Sequence, residues 1–176
     1  MTIQLLTPSH ATALAALIGS IARERRWFFA TQAVNVDGLL ENLILMEALG
    51  IPDFGAFEDD GKLVGWATIQ PERNQYEGFQ HCGKLSMGVR HGHRGRGYGP
   101  ALLNHVLANT RFSRVELEVF GTNYNAIGLY ESVGFVREGC KVGARVLDGV
   151  PQDIVLMARI SRPAAHDIPN PDYRPA

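Results

Sequence analysis

The chain lacks the features that would direct it to an oxidising compartment or into a bilayer. It has only two cysteines, Cys82 and Cys140, in no CxxC arrangement, so the sequence supplies neither a disulfide framework nor a zinc knot. No run approaches the roughly 20 apolar residues of a membrane span. The first residues, Met1–Leu6, lack the charged start and long apolar core of a signal peptide. We therefore expect a cytoplasmic protein that contacts no membrane.

An excess of positive charge is also missing. The 17 Lys and Arg residues are balanced by 18 Asp and Glu residues, which leaves a net charge of -1. A general nucleic-acid binder would be strongly basic, so we expect no nucleic-acid partner. With 176 residues, 45% of them hydrophobic, the chain suits one globular domain. We place this domain at residues 1–160, because residues 161–176 contain four prolines and little to bury and therefore predict a flexible tail.

Apolar periodicity and turn residues predict alternating strands and helices. The predicted strands cover residues 3–6, 54–58, 63–70, 81–89, 114–120, 135–146 and 154–160, and the predicted helices cover residues 9–26, 37–50, a stretch from about residue 100, and 123–134. Ser9 is the predicted N-cap of the first helix, and Gly134 is the predicted C-terminal cap of the last one. Strands 54–58 and 63–70 form a hairpin, and Asp148-Gly149 is the turn between the last two strands. This order predicts a single α/β domain with a mixed, mainly antiparallel twisted sheet flanked by about four helices.

The stretch from Val89 to Pro100 carries four glycines and three arginines between a predicted strand and a predicted helix. Glycines let backbone N–H groups crowd together, and the helix that follows adds its own unpaired donors and the positive end of its dipole. Arginine side chains add forked charges that suit phosphate oxygens. The stretch therefore predicts a pyrophosphate cradle.

Three types of phosphate loop compete for this assignment. A Walker A loop requires Gly-Lys-Ser or Gly-Lys-Thr, and the chain contains neither. A dinucleotide fingerprint requires GxGxxG, but after Gly97 and Gly99 the third position falls on Leu102. The third type is Arg/Gln-x-x-Gly-x-Gly/Ala, which Arg94–Gly99 matches. This loop resembles the acetyl-CoA loop of the GNAT superfamily of N-acetyltransferases.

A second motif carries the same resemblance. The stretch Asn123–Phe135 is similar to N-x-x-A-I-x-L-Y-x-x-x-G-F, the later signature of that superfamily. Its members Asn123, Ala126 and Tyr130 fall on one side of a helix. The resemblance covers about residues 1–160 in the order of elements and 85–160 in detail, and it implies a GNAT-like fold.

The resemblance implies an acetyl-CoA-dependent N-acetyltransferase. The acetyl group would pass to a primary amine of an amino acid-like small molecule or of a peptide, by direct attack in a ternary complex. The alternatives are a non-catalytic acyl-CoA-binding or sensor domain and a protein N-terminal or lysine acetyltransferase. A longer acyl donor and a homodimer both stay open. We expect no metal, because the pair His91 and His93 has no obvious third ligand.

The resemblance also implies which residues bind the cofactor. The backbone of Met87 and Val89 should pair with the pantetheine arm, and Gly88 should mark a bulge that opens this strand edge. The loop amides should bind the pyrophosphate, and Arg94 and Arg96 can reach the phosphates, with a solvated position for one of them as the alternative. The full set of expected cofactor-binding residues is Met87, Gly88, Val89, Arg94, Gly95, Arg96, Gly97, Tyr98, Gly99, Asn123 and Ala126.

Two residues are the expected catalytic groups. By its position in the motif, Tyr130 is the general acid that protonates the coenzyme A thiolate. Glu118 is the expected base, because the stretch around it is similar to ribosomal-protein Nα-acetyltransferases, which carry Leu-Glu-Val there with a proposed basic glutamate. Glu72 and His81 are alternative bases, and a water chain without a side-chain base is a further possibility.

The acceptor is only weakly indicated. In the superfamily, the first two helices with their connection and the last hairpin form the acceptor pocket. The stretch Arg23–Phe29 lies in that connection, and its mixture of arginines and aromatics is compatible with an amino acid or peptide N-terminus whose carboxylate an arginine holds. The stretch Asp148–Met157 resembles the D-G-x-x-x-D-x-x-x-M ending of small bacterial amino-acid and peptide acetyltransferases.

Overall fold

The computed structural model describes residues 1–32, 34–73 and 75–161, and within them the order of elements is the predicted one. The elements are β1 (Thr2–Leu5), α1 (Ala11–Ala22), α2 (Val36–Ala48), β2 (Asp53–Phe57), β3 (Leu63–Pro71), β4 (Cys82–Val89), α3 (Tyr98–Ala108), β5 (Arg114–Phe120), α4 (Tyr124–Ser132), β6 (Val136–Leu147) and β7 (Val150–Ile160). A short 3-10 helix, Pro8–His10, precedes α1. These strands and helices confirm the predicted α/β fold class.

The strands form one seven-stranded sheet in the order β1-β2-β3-β4-β5-β7-β6. All neighbours run antiparallel except β4 and β5, which run parallel. The β4–β5 pairing covers only Cys82–Lys84 opposite Arg114–Glu116. In contrast, β4 pairs with β3 as far as Val89, and β5 pairs with β7 as far as Phe120. The two central strands therefore part after their third paired residue and leave an opening in the middle of the sheet.

Helices pack on both faces of the sheet. On one face, α3 and α4 build the larger core, in which Leu102 and Leu103 are fully buried. On the other face, α1 and α2 form a smaller core over β2 and β3, centred on Trp66 and Phe57. Strand β6, at the sheet edge, is exposed along most of its length. None of the helices in the described ranges is long and apolar enough to cross a membrane.

The first helical segment differs from the prediction at both ends. The 3-10 helix begins after Thr7, whose backbone N–H donates to Nδ1 of His10 at 3.0 Å. The prediction of Ser9 as N-cap is therefore wrong, and the Ser9 hydroxyl instead contacts Oγ1 of Thr7 at 2.8 Å. Helix α1 ends at Ala22 because the chain turns at Arg25, which adopts a left-handed φ of 54°.

The last hairpin is longer than predicted, because β7 begins at Val150 instead of Ile154. Asp148 and Gly149 connect its strands with φ values of 52° and 76°. Two consecutive positive φ values are typical of the tight turns that match the twist of a hairpin. The prediction of Gly134 as a helix cap is confirmed, since its φ is 92° and its N–H donates to the carbonyl of Glu131.

The predicted tail falls almost wholly outside the described residues, which end at Ser161. The backbone N–H of Ser161 donates to the carbonyl of Ser113 at 2.8 Å, so the chain is attached to the domain at this point. The domain limit at residue 160 and the flexible character of residues 161–176 stay predictions.

Gly88 serves packing and forms no bulge. The register between β3 and β4 continues through it without a shift, with Trp66 opposite Gly88. A Cβ atom at this position would lie 2.5 Å from Cζ3 of Trp66 and 3.1 Å from Cδ1 of Ile21. The expected bulge is therefore wrong: the missing side chain makes room for the indole ring.

The substitution Gly88→Ala should destabilise the fold. The added methyl group overlaps the Trp66 ring, and overpacking of this kind costs about 1–3 kcal/mol. Denaturant unfolding followed by circular dichroism measures the change. Gly128→Ala is the matched control, because nothing lies within 4 Å of a Cβ there and helix α4 should gain up to about 1 kcal/mol. Equal stability of Gly88→Ala and the parent would contradict this account.

Candidate active site

The edge of β4 that faces the opening presents free backbone groups. The N–H of Arg90 donates to the carbonyl of Val64 at 2.8 Å. Because alternate residues of a strand direct their backbone groups to opposite sides, Met87 and Val89 direct theirs away from β3 and into the opening. The carbonyl of Val89 already accepts a hydrogen bond from Nε of Arg94 at 2.8 Å. The remaining groups of this edge can pair with an extended ligand in the way that an added strand would.

The loop after β4 is a cradle of unpaired donors. The N–H groups of residues 94–99 donate to no acceptor in the described part of the chain. Gly95 and Gly97 have φ values of 72° and 89°, which turn the backbone so that these groups lie on one side. The Tyr98 side chain is buried in the larger core, so this residue offers only its N–H. Six consecutive free donors at the start of α3 form a strong anion site.

The two arginines that the sequence could not separate have different surroundings. Both terminal nitrogens of Arg94 bind the Glu24 carboxylate at 2.7 Å, while its Nε binds the carbonyl of Val89. This side chain therefore fixes the loop to the end of α1. Arg96 is exposed and forms no ion pair with any described residue. Arg96 is accordingly the arginine that is free to reach a phosphate.

His93 anchors the other side of the loop. Its Nε2 lies 3.1 Å from Oε2 of Glu58, at the end of β2, and its ring packs edge-on against Tyr98 with 6.1 Å between the ring centroids. No group of three or more His, Cys, Asp or Glu residues within the described ranges is placed to hold a metal ion. The contacts of His93 thus belong to the support of the cradle.

Asn123 and Ala126 begin helix α4. The side-chain oxygen of Asn123 accepts the N–H of Ala126 at 3.4 Å, as an N-cap does. Ala126 is half-buried against the larger core. The structure therefore explains both residues by the start of the helix, and their expected contact with the cofactor stays a prediction.

Tyr130 lies one helical turn further along α4 and is half-buried. Its ring packs against Phe135 with 5.8 Å between centroids, and its hydroxyl forms no hydrogen bond with the described residues. Burial raises the pKa of Tyr130 to about 12, because the phenolate would lose hydration. The hydroxyl therefore keeps its proton over the whole neutral range.

Glu118 borders the opening on the side of β5. It faces opposite to the buried Leu117 and Val119, as predicted. Its carboxylate lies 2.7 Å from Nζ of Lys141 and 4.0 Å from Nζ of Lys84, with 21% of the side chain exposed. Because the β4–β5 pairing ends two residues before Glu118, this carboxylate stands where the two strands have begun to part.

The alternative bases lie at the closed end of the sheet. The N–H of Glu72 donates to the carbonyl of Cys82, and Nε2 of His81 lies 3.5 Å from the sulfur of Cys82. Seven residues separate Cys82 from Val89 along β4, which corresponds to about 23 Å. The structure brings neither Glu72 nor His81 to the opening.

Sequence reasoning missed the residue that joins the segment after α1 to the last hairpin. Nη1 of Arg145 donates to the carbonyl of Phe28 at 3.0 Å, and its guanidinium lies over the Phe120 ring at 5.0 Å. The Phe29 ring also packs on Phe120, with centroids 5.3 Å apart. Nothing in the local pattern marks Arg145, because it lies in an exposed strand where the β6–β7 register is irregular.

Several solved structures of bacterial proteins share this fold. A ribosomal-protein-alanine N-acetyltransferase from Brucella melitensis is 26% identical, with a TM-score of 0.82 over 91% of this chain and 99% of that chain. A putative acetyltransferase from Salmonella typhimurium, solved with its cofactor acetyl-CoA, is 22% identical, with a TM-score of 0.85 over 92% and 94%. A phosphinothricin acetyltransferase from Sinorhizobium meliloti, in complex with acetyl-CoA, is 17% identical, with a TM-score of 0.84 over 99% and 98%.

The sequence itself carries a family signature. No protein of curated function matches the chain significantly in sequence. The sequence profile of the acetyltransferase (GNAT) family, however, matches residues 21–135, which are more than half of the chain. The match includes the phosphate cradle, both strands that border the opening, and the whole of helix α4. The chain thus belongs to the acetyltransferase (GNAT) family and is an acyltransferase.

Proposed function

We propose that the protein transfers an acetyl group from acetyl-CoA to a primary amine, carried by an amino acid-like small molecule or by a peptide, through direct attack in a ternary complex. The observation that carries this proposal is the run of six free N–H groups at residues 94–99 beside the open edge of β4. A pyrophosphate and an extended amide-containing arm are two parts of one ligand, coenzyme A. The acetyl-CoA bound in the similar Salmonella and Sinorhizobium structures supports the same choice.

In this proposal the opening between β4 and β5 holds the reacting thioester. The pantetheine arm pairs with Met87 and Val89 as an added strand, and the pyrophosphate lies in the cradle with Arg96 beside it. A free N–H of the β4 edge then polarises the thioester carbonyl, and it stabilises the negative charge that develops on this oxygen. Arg94 and His93 position the cradle from behind and touch no phosphate.

The amine attacks the thioester carbon directly, so no acyl-enzyme forms. Glu118 takes a proton from the amine, directly or through one water, and Lys141 holds this carboxylate at the border of the opening. As the carbon–sulfur bond breaks, Tyr130 gives its proton to the thiolate. Because the pKa of Tyr130 is raised, its hydroxyl is protonated at neutral pH when the thiolate leaves, although the same shift makes the hydroxyl a weaker acid than an unperturbed tyrosine.

Two acceptor classes remain within the proposal. The likeness to the Brucella ribosomal-protein-alanine N-acetyltransferase favours a peptide amine, whereas the likeness to the phosphinothricin acetyltransferase favours a small molecule. A non-catalytic acyl-CoA sensor would need only the cradle and the β4 edge. Glu118 borders the opening from β5, and a sensor would need no base there, so the position of this carboxylate favours an enzyme.

Acetyl-CoA should raise the melting temperature of the protein and should release free coenzyme A when a suitable amine is present. Gly97→Ala should weaken acetyl-CoA binding at least tenfold, because an added Cβ disfavours the φ of 89° that directs the N–H groups. Isothermal titration calorimetry measures the affinity, and a thiol reagent measures turnover with amino acids, polyamines, aminoglycosides and peptides.

Gly78→Ala is the matched control for this experiment. Gly78 has a φ of 88° and also has nothing within 4 Å of its Cβ position, but it lies in the β3–β4 connection at the closed end of the sheet. Both variants should lose similar stability, and only Gly97→Ala should lose acetyl-CoA. A protein that acetyl-CoA fails to stabilise would refute the cofactor, and tight binding without turnover of any amine would favour the sensor.

Tyr130→Phe should lower kcat by about 100-fold through loss of the general acid, while the acetyl-CoA affinity stays within about twofold.

The pH dependence of the free energy of unfolding gives a second measurement on the same variant. Because the folded-state pKa of about 12 lies above the usual 10.0, the unfolded chain ionises first, and the parent should lose stability relative to the variant as the pH rises from 10 to 12. Tyr76→Phe, at an exposed site, is the control. An unchanged kcat would remove Tyr130 from the mechanism.

Glu118→Gln should lower kcat/KM by about 100-fold at pH 7, because the amide cannot accept the proton of the amine. The deficit should shrink towards pH 10, where the acceptor amine loses its proton in solution. A pH profile of kcat/KM measures both effects. Glu116→Gln removes a carboxylate from the same face, where it pairs with Arg73 and Arg114, and should leave the shape of the profile unchanged. A loss for Glu118→Gln that is equal at every pH would contradict a role as base.

A further inference from the structure

The guanidinium of Arg145 has one donor that nothing in the described chain accepts. Its Nη1 binds the carbonyl of Phe28, and its plane lies over Phe120, but its Nη2 is buried without a hydrogen-bond partner. Arginine stays charged under all conditions in which the protein folds. A buried, charged donor without a partner costs several times more than an ordinary missing hydrogen bond, so this position calls for an acceptor group.

A second unpaired polar atom belongs to the residue opposite. Gln152 faces Arg145 across the β6–β7 pairing, and its side-chain oxygen is also buried without a partner among the described residues. The Nη2 of Arg145 and the side-chain oxygen of Gln152 are thus two unpaired polar groups on neighbouring strands, and together they form a small polar site. The Phe120 ring lies against the guanidinium, and the Phe29 ring packs in turn on Phe120.

This site lies on the same face of the sheet as Glu118. Phe120, which supports the guanidinium, follows Glu118 by two residues on β5 and so projects from the same face about 7 Å further along. The face of β5 that carries the proposed base therefore also carries the ring on which the Arg145 guanidinium rests.

The arginines that the sequence favoured for this task have other surroundings. Arg25 binds the Asp148 carboxylate at 2.7 Å, Arg26 lies over the ring of its neighbour Trp27 at 4.8 Å, and Arg23 is exposed at the end of α1. Arg145 differs from them because its Nη2 is buried without an acceptor among the described residues. A forked guanidinium matches the two oxygens of a carboxylate better than any other side chain does.

We propose that Arg145 binds the carboxylate of a free amino acid and so determines the acceptor class, an inference that rests on the proposed function. The carboxylate accepts from Nη2 and shares the guanidinium with the carbonyl of Phe28, while the apolar side chain of the acceptor contacts the phenylalanine rings. Arg145 is thus a specificity-determining residue that takes no part in the proton transfers.

The test compares amines that differ only in the acid group. L-methionine, L-leucine and L-phenylalanine are each assayed against their own carboxamides, with a peptide that begins with alanine as a third arm. For the parent, kcat/KM should be higher for the acid than for its amide. Arg145→Gln should lower the value for the acid by about 10- to 100-fold, which is the loss of one hydrogen bond to a charged group, and should change the value for the amide less than about threefold.

Two further variants keep the result interpretable. Arg145→Lys retains the charge without the fork and should fall between the parent and Arg145→Gln. Arg137→Gln removes an arginine from the same strand, where it pairs with Glu131 on the surface, and should behave as the parent. Equal losses for acid and amide in Arg145→Gln, or a parent that prefers amides or the peptide, would overturn the inference. Absence of turnover with every amine would instead refute the proposed function on which it rests.

Discussion

The parting of β4 from β5 is the constraint on which the rest of the molecule depends. A strand can pair its backbone on two sides, and β4 uses its second side for only three residues. The polar groups of Met87 and the N–H of Val89 are therefore left unpaired, while the Val89 carbonyl accepts from Arg94. Because the cradle follows β4 directly and begins α3, the same departure that frees the strand edge also sets the position of the phosphate site. One break in a sheet thus creates two adjoining parts of a single binding site.

The opening is held by rigid neighbours on both sides. On the β4 side, the Trp66 ring fills the space above Gly88, and Arg94 connects Val89 to the Glu24 carboxylate. Both bonds from Arg94 to Glu24 are charge-assisted and fork-shaped, which makes this the strongest kind of hydrogen-bonded contact between side chains. On the β5 side, an unbroken register with β7 runs from Arg114 to Phe120. The strands cannot close over the gap without breaking these contacts, so the edge is prepared before any ligand arrives.

The parts of the site that could be predicted are those encoded by local spacing. The glycines of the cradle and the helix that starts at Asn123 are read directly from neighbouring residues, and the alternation along β5 correctly directs Glu118 away from the core. The contacts that could not be predicted join distant positions: Glu24 is 70 residues from Arg94, and Phe28 is 117 residues from Arg145. Periodicity within one element contains no information about such pairs, because they depend on how the elements pack.

The two substrates of the proposed reaction differ in the same way: one would bind to a short stretch of the chain, and the other to residues that are distant in the sequence. In the proposed site, backbone N–H and carbonyl groups would bind most of acetyl-CoA, and their arrangement follows from glycine positions and a helix start within about fifteen consecutive residues. The acceptor meets side chains from the segment after α1, from β5 and from the last hairpin, and these come together only in the folded chain. In the proposed acceptor site one charged residue would therefore decide the class of amine that binds. The binding site for the donor can therefore be predicted from the sequence. The binding site for the acceptor can be inferred only from the folded structure, through the neighbours of Arg145 and Glu118.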